Sequence, residues 1–212
     1  MSKSIGNILD PIEIIDKYGI DQLRYYLIKE VSLGNDGNIS MKNLKNCINN
    51  DLANNYGNLC QRVFSFIEKN CSNKIPKPSE LTENDNKLLN KLKNNVPELI
   101  KLINNQDLNL YLKTIVEYSF DANKYFNDSQ PWALKKTDVG RMNTILYTIV
   151  EQIKNISILL NPIMPISTDK ILETLNIEPK DRNISNIRVN DILNHEINIK
   201  KSEILFKKID DN

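Results

Sequence analysis

Asn58 and Arg62 stand four residues apart. On a helix that is one turn, so an amide and a guanidinium can address one RNA base from the same face. Trp132 is the only tryptophan and sits in the run Gln130-Pro131-Trp132, where a proline-started helix lets an aromatic project. Lys135 and Lys136 follow closely and can hold phosphates. Residue type alone leaves plainer readings open: a solvated helix face for Asn58 and Arg62, and a core position for Trp132. Other chemistries are poorly served. His195 is the only histidine, and Cys47, Cys60 and Cys71 have neither zinc spacing nor an even count. A histidine-based catalytic pair, a metal site and a disulfide framework are therefore not expected.

Composition bounds the remaining readings. The chain of 212 residues is 40% hydrophobic and 26% charged, so a packed core is expected and global disorder is not. Its net charge is only +1, from 28 basic and 27 acidic residues, and this count alone leans mildly against nucleic acid. Any RNA contact must then come from a local patch with specific contacts. Asp10 and Glu13 precede any long apolar run, so no signal peptide is expected, and no stretch reaches membrane-spanning length. A reduced cytosol is the expected compartment.

The elements that would position these residues are helical. Asp10-Pro11 predicts a helix start, closed at Gly19. Asp21 is expected to cap the next helix, and Asn35-Asp36-Gly37-Asn38 to turn. Ser40 opens a long helix to about Lys69. At about 100° per residue, with Asn54 as zero, Leu52, Tyr56, Leu59, Val63, Phe66 and Ile67 fall between roughly 120° and 220°. Asn54, Asn58, Gln61, Arg62 and Ser65 take the opposite side. Thr82 and Asp85 read as a capping box before a helix that Pro97 should kink or split. Asp107 starts another, and Asn127 to Pro131 breaks it. A further helix spans about Val139 to Leu160, and Pro165 to Leu175 makes a last one. From Glu178 onward the pattern is weak, so an irregular tail with short strands is expected.

Four segments, in this order and spacing, resemble the C-terminal portion of bacterial methionyl-tRNA synthetase. They are Met1-Ser2-Lys3-Ser4 with Gly6-Asn7 and Asp10-Pro11; Tyr18 to Asp21 with Leu23 to Tyr26; Asn50 to Asn54 with Gly57-Asn58-Leu59 and Arg62; and Gln130-Pro131-Trp132. The Ser-Lys-Ser loop alone recurs across class I synthetases. The Asn50 to Arg62 segment followed by Gln-Pro-Trp is more particular. The resemblance runs from Met1 to about Leu175.

It implies an all-α helical bundle of the class I synthetase anticodon-binding type. Residues 1–39 would form the active-site loop and connecting helices, 40–175 the anticodon-binding domain, and 176–212 the tail. Asn58 and Arg62 would recognise the first anticodon base, a cytosine, and Trp132 would stack on an unstacked anticodon base. Lys3 matches the family's ATP-contacting lysine; the loop is cut short, lacking the lysine that normally precedes the Met. The partner implied is a methionine tRNA, with no DNA and no membrane. ATP, with magnesium, is expected only in a full ligase that attaches methionine to tRNA. No nucleotide-binding α/β fold is expected here, so the chain by itself should not form methionyl-adenylate. Two other readings stay open: one subunit of a split enzyme with a separate catalytic half, or a helical scaffold without RNA binding.

Overall fold

A computed structural model describes residues 9–32, 34, 37, 39–187, 193, 197–199 and 204–210. Lys3, His195, and most of the expected turn at 35–38 lie outside the described residues. Among those described, the chain is an all-α bundle with one isolated antiparallel bridge, between Lys74 and Asn198.

Helix α1 (Pro11–Tyr18) is capped by the Asp10 carboxylate, which accepts from the Ile12 amide at 2.8 Å. Gly19, at φ 99°, turns the chain into α2 (Ile20–Glu30). Asp21 does not cap α2 as expected. It lies inside the first turn, buried, and accepts from the Ser167 amide at 2.6 Å, so it caps α9 (Pro165–Thr174) instead. Arg24, one turn on, donates to the carbonyls of Ile163 at 2.7 Å and Pro162 at 2.8 Å. Together the two side chains fasten α2 to the turn between the last two long elements.

Ser40 opens the next rod as expected, accepting from the Asn43 amide at 3.1 Å. The rod is not one α-helix. It comprises α3 (Met41–Cys47), a π-helical segment (Ile48–Tyr56) and α4 (Gly57–Asn70). The wider π turn breaks the 100° arithmetic between 48 and 56. Leu52, Tyr56, Leu59, Val63 and Ile67 are buried as predicted, whereas Phe66 is only half-buried. Asp51 of the π segment accepts from Tyr25 at 2.8 Å and from Lys29, tying the segment to α2.

Helix α5 (Glu83–Asn104) starts in the predicted capping box, with Asp85 accepting from the Thr82 amide at 2.8 Å. Pro97 does not split it. Pro97 faces solvent, while Leu92, Val96 and Leu99 bury the other face. Helix α6 (Leu108–Ser129) runs through the expected breaker to Ser129, and only Gln130, at φ 43°, ends it. The short α7 (Pro131–Leu134) follows.

Helix α8 (Val139–Leu160) is the centre of the bundle, buried on all sides from Thr144 to Leu160 and packed by α4, α5, α6, α7 and α9. Its polar residues are therefore buried too. Lys154 donates to both Glu151 oxygens, at 2.7 and 2.8 Å, and Lys93 of α5 lies 3.9 Å from the same carboxylate. Among the described residues the tail forms two 3-10 turns, Pro179–Asp181 and Ile184–Ile187, and the bridge at Asn198 rather than the expected short strands, and it is docked: Ile187, Ile199 and Phe206 are buried. Residues 204–210 cross the rod as a strap. Asn49 bonds both backbone groups of Ile209, at 2.9 and 2.8 Å, and Phe206 packs on Tyr56 with ring centres 6.3 Å apart.

Candidate nucleic-acid interface

The first turns of α4 carry Asn58 and Arg62. Both lie beyond the π segment, so their one-turn spacing holds, whereas exposed Asn54 lies within it and falls out of phase. Asn58 is half-buried. Arg62 leaves α4 across the end of α6. Its guanidinium carbon sits 5.1 Å from the centre of the Phe126 ring, and its Nη2 donates to Asn127 Oδ1 at 2.8 Å.

Trp132 reaches the same ring from α7. Its indole meets Phe126 edge-on, with centroids 5.7 Å apart and planes at 80°. Phe126 is buried, yet Trp132 keeps 41% of its surface exposed. The left-handed Gln130 makes this possible, because it ends α6 and turns the chain into α7 within one residue. Buried Pro131 then starts α7 with φ already set for a helix. The structure thus brings Arg62 and Trp132 together through Phe126, a buried residue of α6.

A second cation–ring pair lies one turn further on. Exposed Lys135 places its ammonium 5.0 Å from the centre of the Phe66 ring. Asn58, Arg62 and Phe66 therefore form a line along α4, with Trp132 and Lys135 supplied by α7 and the residue after it. Phe126, Asn127 and Phe66 were missed as site residues. The available signal was adjacency: Phe66 is four residues past Arg62, and Phe126-Asn127 immediately precede the break at Gln130.

The end of α6 is held from below. Asp85 is fully buried and accepts from Arg141 Nη2 at 2.8 Å and from the Tyr125 hydroxyl, next to Phe126. Burial alone would raise the Asp85 pKa, but the bonds from Arg141, Tyr125 and Thr82 outweigh it and hold the carboxyl down at about 2. Burial and the neighbouring carboxylate push the Tyr125 hydroxyl well above its ordinary value. At neutral pH the clamp is an ion pair flanked by a neutral phenol.

Chemically, the face offers a stacking surface on Trp132, donors on Arg62 and Asn58, and an exposed positive charge on Lys135. Arg62 is already oriented by Asn127 and Phe126, so less freedom is lost when it meets a ligand. Such a set suits a splayed, single-stranded base, which presents a π face and a hydrogen-bonding edge at once.

Residues 75–212 match the family described as the anticodon binding domain of methionyl tRNA ligase, and residues 1–64 match class I tRNA synthetases (M). The chain is 41% identical over 187 residues to the methionine–tRNA ligase of Brucella suis biovar 1, covering 88% of this chain and 36% of that one. It is 36% identical over 218 residues to that of Rickettsia conorii, covering 99% and 42%. Its fold is similar to methionyl-tRNA synthetase of Mycobacterium tuberculosis bound by methionyl-adenylate, with a TM-score of 0.91, 35% identity, and 98% of this chain against 41% of that one. The free enzyme gives a TM-score of 0.90 at 32% identity, covering 97% and 42%. The chain thus spans roughly two-fifths of the length of these relatives.

Proposed function

Because the chain belongs to the family of methionyl-tRNA ligase anticodon-binding domains, we propose that the face formed by α4 and α7 reads the anticodon of a methionine tRNA. The observation that carries this reading is the seating of Arg62 and Trp132 on one ring, Phe126. Asn58 and Arg62 address the Watson–Crick edge of the first anticodon base, while Trp132 stacks on it. Lys135 and Lys136 hold nearby phosphates. Contacts of these kinds are each worth about 1–3 kcal/mol, enough for selection by a protein of nearly neutral charge.

Residues 40–175 form the reading unit in this proposal, 1–39 connect it to a catalytic part, and 176–212 are the tail. In a complete ligase the unit holds the tRNA while its acceptor end reaches the site where methionine is attached at the expense of ATP. Lys3, outside the described residues, contributes an ATP contact there. The setting is cytosolic, and no helix among the described residues is long and apolar enough to cross a membrane.

The test is binding of the purified chain to methionine tRNA beside the same tRNA with a changed anticodon, at two salt concentrations. Phosphate attraction weakens steeply with salt, and base reading much less so. A preference for the native anticodon that survives the higher salt and is lost in Arg62→Ala and Trp132→Ala supports the reading. Equal, salt-labile binding to both tRNAs rules it out and favours a helical scaffold.

A further inference from the structure

We infer that Phe66 is a second stacking platform, which takes the second anticodon base when Lys135 swings off its ring onto a phosphate. The inference rests on the proposed reading of the first base and extends it by one nucleotide.

Three observations lead there. Phe66 follows Arg62 by four residues on α4, so the two lie about 6 Å apart along the axis. A nucleotide next to the base at Arg62 and Trp132 is thereby led toward the Phe66 ring. Phe66 is also out of keeping with its row: Leu59, Val63 and Ile67 of the same helix are buried, whereas Phe66 is only half-buried. Finally, the ring is covered by a replaceable group. Lys135 is exposed and follows Trp132 by three residues, and its ammonium stands 5.0 Å from the ring centre.

Magnitudes decide what happens when RNA arrives. An exposed cation–π contact favours the covered ring by about 2- to 5-fold. A base stacked on an aromatic is favoured by roughly 5- to 150-fold. The base therefore wins the ring, and the displaced ammonium stays within reach of the same nucleotide's phosphate. Lys135 acts as a placeholder that shields the ring from water and becomes a phosphate contact once RNA is bound.

The probe is an anticodon stem–loop of a methionine tRNA with 2-aminopurine as its second anticodon base, whose fluorescence is quenched on stacking. The whole chain is expected to quench it. Phe66→Leu keeps apolar bulk in the half-buried position but removes the ring, so the quench should vanish and binding weaken roughly 5- to 150-fold. Phe66→Tyr should preserve both. Lys135→Ala should keep the quench while lowering the salt slope by about one. If Phe66→Leu melts early, Lys135→Glu replaces it as the test. That exposed change should weaken binding at least tenfold without altering the melt, and unchanged binding overturns the inference. Undiminished quenching in a folded Phe66→Leu, with native-anticodon preference intact, also overturns it and leaves the first-base reading standing. Absence of both quenching and anticodon preference in the wild-type chain removes the two together.

Discussion

Arg62 and Trp132 come from different helices, yet both rest on the Phe126 ring, one by its guanidinium at 5.1 Å and the other edge-on at 5.7 Å. The two contacts share one support, so they are expected to be coupled.

Arg62→Ala and Trp132→Ala should each weaken binding of a native anticodon stem–loop by about 1–3 kcal/mol. The double variant should depart from additivity by at least about 0.5 kcal/mol, because both residues lose the same neighbour. Phe126→Leu, which touches no RNA in the proposed reading, should lower the preference for the native anticodon. Strictly additive losses, read by titration calorimetry at fixed salt, would show that the two residues act independently.

Asp85 sets an acid limit on stability. Its folded pKa is about 2, below the ordinary carboxylate value of 3.8. A depressed folded pKa contributes stability that is fully present above pH 3.8 and is lost as pH falls from there toward 2. At about 1.4 kcal/mol per unit, the contribution is about 2 kcal/mol. Asp85→Asn should therefore be less stable than wild type at pH 7, and the difference should shrink below pH 3.8. Urea titrations at several pH values check this, and a gap at pH 2 as large as at pH 7 contradicts the ionic account.

How far the fold could be read from sequence depended on the range of the interaction responsible. The Thr82–Asp85 box, the Asp10 cap and the Ser40 cap are local, and all three occur as predicted. Asp21 looked equally local, but its partner is the Ser167 amide, 146 positions away. No pattern in 20–30 announces that. The π segment was invisible for another reason: it shifts the phase by a fraction of a turn, and the buried side still reads as apolar. At the site, Asn58, Arg62 and Trp132 stood out by type and spacing. Phe126 and Phe66 did not, because an aromatic in an apolar row reads as core until its neighbours are known.

Gly57 begins α4 where two groups leave no room for a side chain. A Cβ there would lie 2.9 Å from the Leu52 carbonyl oxygen and 2.9 Å from Cδ2 of Phe206. The first contact is backbone and cannot rotate away. Gly57→Ala should cost about 1–3 kcal/mol of stability by overpacking. Adding Phe206→Leu should recover only part of it, since the Leu52 contact remains. A denaturant midpoint unchanged by Gly57→Ala would mean that the π segment adjusts freely.

Glu151 holds Lys154 through both oxygens in the middle of α8, where Lys154 has no exposed surface. Glu151→Gln removes the negative charge but keeps the shape, and should destabilise the chain by about 3–5 kcal/mol. Replacing both residues, as Glu151→Leu with Lys154→Met, should be milder, because the fully buried Lys154 ammonium is removed together with its carboxylate. Thermal melts of the three proteins check the order. A double variant worse than Glu151→Gln alone would argue that the pair contributes net stability.

The strap also bears on the order in which the protein assembles. Phe206 reaches Gly57 and Ile209 reaches Asn49, contacts closed across about 150 residues of chain. At a synthesis rate of about 5–20 residues per second, the rod emerges from the ribosome roughly 7–30 s before the segment that covers it. For that interval Tyr56 and its π turn lack their outer layer while α5 to α9 are still being made. The base of α4 is thus completed late, and a nascent chain cut short of Phe206 would carry that helix on an unfinished footing.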